Sequence, residues 1–221
     1  MKYKAIIFDL DGTIADTERL WKEASEQLVK RRKPLGEEQA TTLREALHGR
    51  SMPDAVFIIK QMMALEEQVH ELMQEKIHIV SELYQTGVRF IEGFQDFFHK
   101  TQTYQLKTAI ATNAGITTLQ ETDKALGLST LFGQHMYCAS HVSKPKPDPM
   151  LYLHAADNIG VIPTACIAVE DSAHGITAAK EAGMYCIGIN TNKNAQQLQH
   201  ADTVVDAYDE IDLPALLTLN K

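Results

Sequence analysis

Short, nearly continuous apolar runs punctuate the chain at 4–9, 106–112, 165–170, 184–189 and 203–205. They are β-rich and do not alternate apolar with polar positions. Strands buried on both faces read this way. Segments of helical period lie between them, at 116–126, 149–159, 173–182 and 194–200. Strand and helix in alternation predict a parallel sheet with right-handed crossovers. In such a sheet the ligand site lies beyond the carboxyl ends of the strands.

One interval breaks the rhythm. Between the first and second apolar runs there is no convincing strand, only helical stretches at 16–32, 37–47, 53–65 and 66–85. Pro34 and Gly36 break the first pair, and Gly49 to Pro53 break the second. This is too much helix for a crossover. It predicts an all-helical domain over 16–87, inserted in an α/β core made of 1–15 and 88–221. The insertion starts just after Asp11, so it can act as a lid.

Composition narrows the class. The chain has 221 residues, 44% hydrophobic and 23% charged, enough to bury a real core. Its net charge of −8 argues against nucleic-acid binding, which needs a basic footprint. A local cation can still attract an anionic substrate. No apolar run is long enough for a membrane span or a signal peptide, so a cytoplasmic protein without a membrane partner is expected. Cys138, Cys166 and Cys186 form no CxxC and read as reduced core residues. No long exposed apolar stripe is evident, and a monomer is expected.

The chemistry gathers where strands end. Asp9 and Asp11 follow the first run, in Phe8-Asp9-Leu10-Asp11-Gly12-Thr13. Strand alternation puts both carboxylates on one side, where they repel unless a proton or cation intervenes. Hard oxygen ligands favour Mg²⁺. Thr112 and Asn113 close the second run, and the Thr112 hydroxyl and the backbone N–H groups after it could donate to a phosphate oxygen, although Thr and Asn end many strands. Three prolines stiffen Ser143-Lys144-Pro145-Lys146-Pro147-Asp148-Pro149. Lys144 is preferred as the balancing charge over Lys146, because a helix starting near Pro149 draws Lys146 toward its surface. Glu170 and Asp171 end a further run, and Asp171 or Ser172 could cap the helix that follows. His174 reads as a helix-surface residue, and no GxxxxGK[ST] or GxGxxG occurs.

In combination these motifs resemble the haloacid dehalogenase superfamily, and within it the β-phosphoglucomutase-like branch with a helical cap. The resemblance runs over nearly the whole chain. It implies a Rossmann-like core and a phosphatase acting on a small phosphorylated metabolite, a sugar or polyol phosphate. Asp9 would be the nucleophile that forms an aspartyl-phosphate, and Asp11 the general acid and base. Mg²⁺ would be held by Asp9, the Asp11 carbonyl and Asp171, with Glu170 assisting. Thr112, Asn113 and Lys144 would bind the phosphoryl group.

The segment Leu47-His48-Gly49-Arg50-Ser51 resembles a cap specificity loop, which makes His48 and Arg50 candidates for substrate selection. Trp21 stands where β-phosphoglucomutase carries a histidine, and this favours hydrolysis over a sugar phosphomutase. A dehalogenase would not need Asp11, Glu170 and Asp171 together. A phospho-accepting signalling module would leave the helical insertion unexplained.

Overall fold

The computed structural model describes residues 2–47 and 52–218. Six parallel strands form one sheet: β1 (Ala5–Phe8), β2 (Lys107–Thr112), β3 (Met136–Cys138), β4 (Cys166–Glu170), β5 (Tyr185–Ile189) and β6 (Thr203–Val205). Their order is β3-β2-β1-β4-β5-β6. The chain moves outward from β1 to one edge and then returns to the other side of β1. The crevice at the ends of β1 and β4 is therefore the topological switch point of the sheet. The fold is α/β, as the alternation predicts.

The chain divides into two compact units, Met1–Asp16 with Arg89–Lys221, and Thr17–Val88. In the first unit α5 (Phe94–Thr103), α6 (Ile116–Leu126), α7 (Leu128–Phe132), α8 (Met150–Asn158), α9 (Ala173–Glu181) and α10 (Leu213–Thr218) accompany the sheet. Alternation along β1 sorts its side chains between two layers. Ala5 and Ile7 join a cluster with Ala109, Cys166, Tyr152 and Ala179, formed with α8 and α9. Phe8 lies on the opposite face and meets Phe94, Phe97 and Phe132 edge-on, with ring centroids 5.6, 6.2 and 6.0 Å away.

The second unit consists of α1 (Glu18–Lys30), α2 (Glu37–Leu47), α3 (Met52–Met63) and α4 (Val69–Gly87). Leu20, Ala24 and Leu28 recur at helical spacing along α1 and share a core with Leu43, Ile59, Ile79 and Tyr84. Arg32 ties the far end of this unit together, donating to Glu75 at 2.6 Å and to Glu67 at 2.8 Å.

Several elements differ from the periodicity reading, the short helices α7 and α10 among them. β3 was not expected, because three residues carry too little pattern to register as a strand. The helix α5 was also unread. The stretch 194–200 forms a 3₁₀ turn over Ala195–Leu198 rather than an α-helix.

The aromatic cluster gives a direct test. Phe8→Ala should cost about 3–5 kcal/mol, read as a lower urea midpoint, because Phe8 is fully buried and rigidly surrounded.

Candidate active site

The register of β1 against β4 builds the site. Phe8 pairs with Val169, and the Asp9 N–H extends that ladder by donating to the Val169 carbonyl at 2.9 Å. The next residues in line are Asp9 and Glu170. Asp9 has the parity of Ala5 and Ile7, and Glu170 that of Cys166 and Ala168. Both carboxylates thus emerge side by side on the face covered by α8 and α9. Like charges so placed are destabilising without a counterion.

Lys146 supplies the counterion. Its Nζ lies 2.6 Å from Asp9 Oδ1 and 2.5 Å from Glu170 Oε1, and its side chain is 3% exposed. Tyr152 on α8 donates its hydroxyl to the same Glu170 oxygen at 2.7 Å, and its ring centroid is 4.7 Å from the ammonium. Burial lowers the lysine pKa, but Asp9 and Glu170 together outweigh this and raise it, so the ammonium stays charged. Burial pushes the Asp9 carboxyl up to about 8, with Lys146 opposing and Glu170 and Asp11 adding to the rise. Asp171 is raised well above the usual carboxylate range, first by burial and then by Asp9 and Glu170.

This corrects the choice between the two lysines. Lys144 is 71% exposed at its side chain and stands 3.8 Å from Asp148. It reaches none of the strand-end carboxylates. Lys146 reaches two because Asn113 holds its backbone at both ends. Asn113 Nδ2 donates to the Lys146 carbonyl, and Asn113 Oδ1 accepts from the Lys146 N–H, each at 2.9 Å. The side-chain amide of Asn113 thus holds the lysine loop. Thr112 accepts from the Ala114 N–H at 3.0 Å and donates to Asp11 Oδ2 at 3.4 Å. His48 and Arg50 lie outside the described residues. His174 is exposed on α9.

Two glycines permit the close packing. Gly12 has φ +79°, and a Cβ there would sit 2.1 Å from Asp171 Oδ2. At Gly175 a Cβ would fall within 2.0 Å of the Glu170 carboxylate. Ser172 joins these parts, because its hydroxyl donates to Glu170 Oε2 and accepts from the Gly175 N–H at 3.1 Å, capping α9. The polar run after β5 adds two residues that sequence reasoning missed. Asn192 donates to Asp171 Oδ2 at 2.8 Å, and Thr191 donates to the Gly12 carbonyl at 2.6 Å. Their signal was their position at the carboxyl end of a core strand. Tyr152 was also missed, since an aromatic in a helix reads as packing.

Oxygens of Asp9, Glu170 and Asp171 lie within 4.8 Å of one another. Among the described residues one ammonium, that of Lys146, meets two of these three carboxylates. Desolvated carboxylates in such excess fit a hard divalent cation, which oxygen donors of this kind bind. The site can therefore hold a cation beside Asp9 and an anionic group beside Lys146.

A parallel sheet with this acid–lysine cluster at its switch point has its chemistry where α/β enzymes bind their ligands. Residues 6–189 match the haloacid dehalogenase-like hydrolase family, and the chain belongs to it. It is 28% identical over 212 residues to the validoxylamine A 7'-phosphate phosphatase of Streptomyces hygroscopicus subsp. limoneus, covering 96% of this chain and 97% of that one. It is 28% identical to the β-phosphoglucomutase of Bacillus subtilis (strain 168), over 96% of this chain and 93% of that one. The solved structure of a haloacid dehalogenase-like protein of Agrobacterium tumefaciens str. C58 superposes with a TM-score of 0.78 at 25% identity, over 97% of each chain.

The two lysines should separate in stability. In EDTA, Lys146→Met should lose about 3–5 kcal/mol in urea denaturation, since it strands two buried carboxylates. Lys144→Met should stay within about 0.5 kcal/mol of the parent. Gly175→Ala should cost about 1–3 kcal/mol by forcing the Glu170 carboxylate aside.

Proposed function

We propose that the protein is a Mg²⁺-dependent phosphatase of a small phosphorylated metabolite, a sugar or polyol phosphate, working through an aspartyl-phosphate on Asp9. The observation that carries this reading is the Lys146 ammonium set against Asp9 Oδ1 at the sheet's switch point. It holds a buried carboxylate in one orientation and offers positive charge beside it. The names of the phosphatase relatives support hydrolysis of a phosphate ester, and the β-phosphoglucomutase relative makes a sugar phosphate a natural substrate class.

In this reading Asp9 attacks phosphorus in line and the ester oxygen leaves. Asp11 gives that oxygen a proton, then takes one from the water that cleaves the acyl phosphate. Thr112, held against Asp11, and the backbone N–H groups after it bind phosphoryl oxygens together with Lys146. Asp9, Asp171 and the Asp11 carbonyl would hold Mg²⁺, with Glu170 assisting. Bound there, the ion would neutralise charge on the carboxylates and on the transferring phosphoryl group. Asn192 orients Asp171, and Tyr152 and Ser172 orient Glu170.

Phosphate release from a panel of phosphorylated sugars and polyols tests this. With Mg²⁺ the wild type should release phosphate from one or a few members. EDTA and Asp9→Asn should each abolish release, and Lys146→Met should reduce kcat by about 10²–10³. Isomerised sugar phosphate without free phosphate would replace hydrolysis by mutase chemistry. Unchanged substrates throughout would sink both.

A further inference from the structure

The turn after β5 reaches back to the acids. The Asn190 N–H donates to the Val205 carbonyl at 2.8 Å, and the Lys193 N–H returns to the Asn190 carbonyl at 3.3 Å. Lys193 takes a φ of +54°, a left-handed backbone uncommon for a lysine. Thr191 and Asn192 are carried at the tip of this turn. Thr191 grips the Gly12 carbonyl, and Asn192 donates to Asp171 Oδ2 at 2.8 Å. Gly12 closes on the same oxygen, since a Cβ there would lie 2.1 Å from Asp171 Oδ2 and 3.5 Å from Asn192 Nδ2. Asp171 Oδ2 is therefore wedged between the Gly12 backbone and the Asn192 amide.

The other carboxylates of the cluster are committed in the same way. Lys146 takes Asp9 Oδ1. Lys146 and Tyr152 take Glu170 Oε1, and Ser172 takes Glu170 Oε2. Among the described residues Asp9 Oδ2 and Asp171 Oδ1 accept no hydrogen bond. Asp9 and Asp171 thus offer one open oxygen each, and no member of the cluster offers both. Ca²⁺ favours a large, flexible shell that often includes a carboxylate chelating through both oxygens. Mg²⁺ keeps a small octahedral shell, retains several waters and is held by few carboxylates. At Asp171 the second oxygen is withheld by a neutral amide, so the restraint can be removed without changing the charge of the cluster.

We propose that Asn192, with Thr191 behind it, sets the metal selectivity of the site: it confines Asp171 to ligation through one oxygen and so favours Mg²⁺ over Ca²⁺. The inference rests on the Mg²⁺ reading above and adds to it the means by which this chain rejects the larger cation. Asn192 is a positioning residue that acts through Asp171. Without such a restraint, a cluster of oxygen donors binds Ca²⁺ more readily, because Mg²⁺ sheds its water reluctantly.

Calorimetric titration of the full chain with MgCl₂ and, separately, with CaCl₂ tests this without substrate. The wild type should bind Mg²⁺ at least as tightly as Ca²⁺. In Asn192→Ala the ratio of the two dissociation constants should move toward Ca²⁺ by about tenfold or more. A residue that only stiffens the turn would weaken both ions alike and leave that ratio where it was. A ratio unchanged in folded Asn192→Ala, or moved toward Mg²⁺, therefore overturns the proposal. So does a wild type that binds Ca²⁺ more tightly than Mg²⁺, a result that needs no variant. Should Asn192→Ala fail to fold, Thr191→Val takes its place: loss of the bond to Gly12 should move the ratio the same way, and an unmoved ratio refutes the role. A wild type that binds no Mg²⁺ at all would remove the Mg²⁺ reading itself, and this inference with it, whereas Mg²⁺ binding with an unmoved ratio would remove this inference alone.

Discussion

The Lys146 ammonium between Asp9 and Glu170 is the contact on which the site depends. The parallel register of β1 and β4 brings two carboxylates to the same edge on the same face. Without an intervening cation their repulsion would work against the register itself. The lysine does not arrive by its own loop's stiffness alone. Asn113, at the end of β2, grips its backbone from both sides, and Tyr152 and Ser172 fix the carboxylate it meets. Three strand ends and one helix are thereby tied to a single charge.

That arrangement explains why small residues cluster around the acids. Gly12 yields its side-chain volume to Asp171, and Gly175 yields its own to Glu170. The alanines of α9 extend the same logic along the sheet, where Ala178 and Ala179 are fully buried. Close approach of helix to sheet keeps the site dry, and dryness raises the Asp9 and Asp171 pKa values. A carboxylate desolvated this far is ionised only in company with positive charge. Among the described residues Lys146 alone leaves the cluster short of it, and the oxygen donors that remain are those of a hard divalent site.

The acids were legible because apolar runs stop at them, and a run's end in a parallel sheet is where ligands bind. The helices between Pro34 and Gly87 were legible from breakers and period, as Glu37–Leu47 illustrates. The lysine was not. Lys144-Pro145-Lys146-Pro147-Asp148-Pro149 offers Lys-Pro-x-Pro twice in overlapping frames. The frame is set by a clamp from a residue 33 positions away, which no local pattern contains. Tyr152 was hidden for a related reason, since its ring belongs to the core and only its hydroxyl belongs to the site. Asn192 and Thr191 sit past β5 in a polar run that resembles any loop until the sheet brings it to Gly12 and Asp171.

The two ends of the helical insertion leave and rejoin the core at one point. The Ile91 N–H donates to the Ile14 carbonyl at 2.8 Å, the Asp16 N–H to the Arg89 carbonyl at 2.9 Å, and Ala15 bridges Phe90. Arg89 closes the neck with Asp16 at 2.8 Å. To the sheet, everything between Asp16 and Arg89 is a single hairpin tip. The entropy of closing such a tip grows only with the logarithm of its length, by about 0.6 kcal/mol per doubling. The neck therefore decouples the core's stability from the size of what it carries. A scaffold joined in this way can exchange one insert for a longer or shorter one while its strand register, and the chemistry at the strand ends, stays where it is.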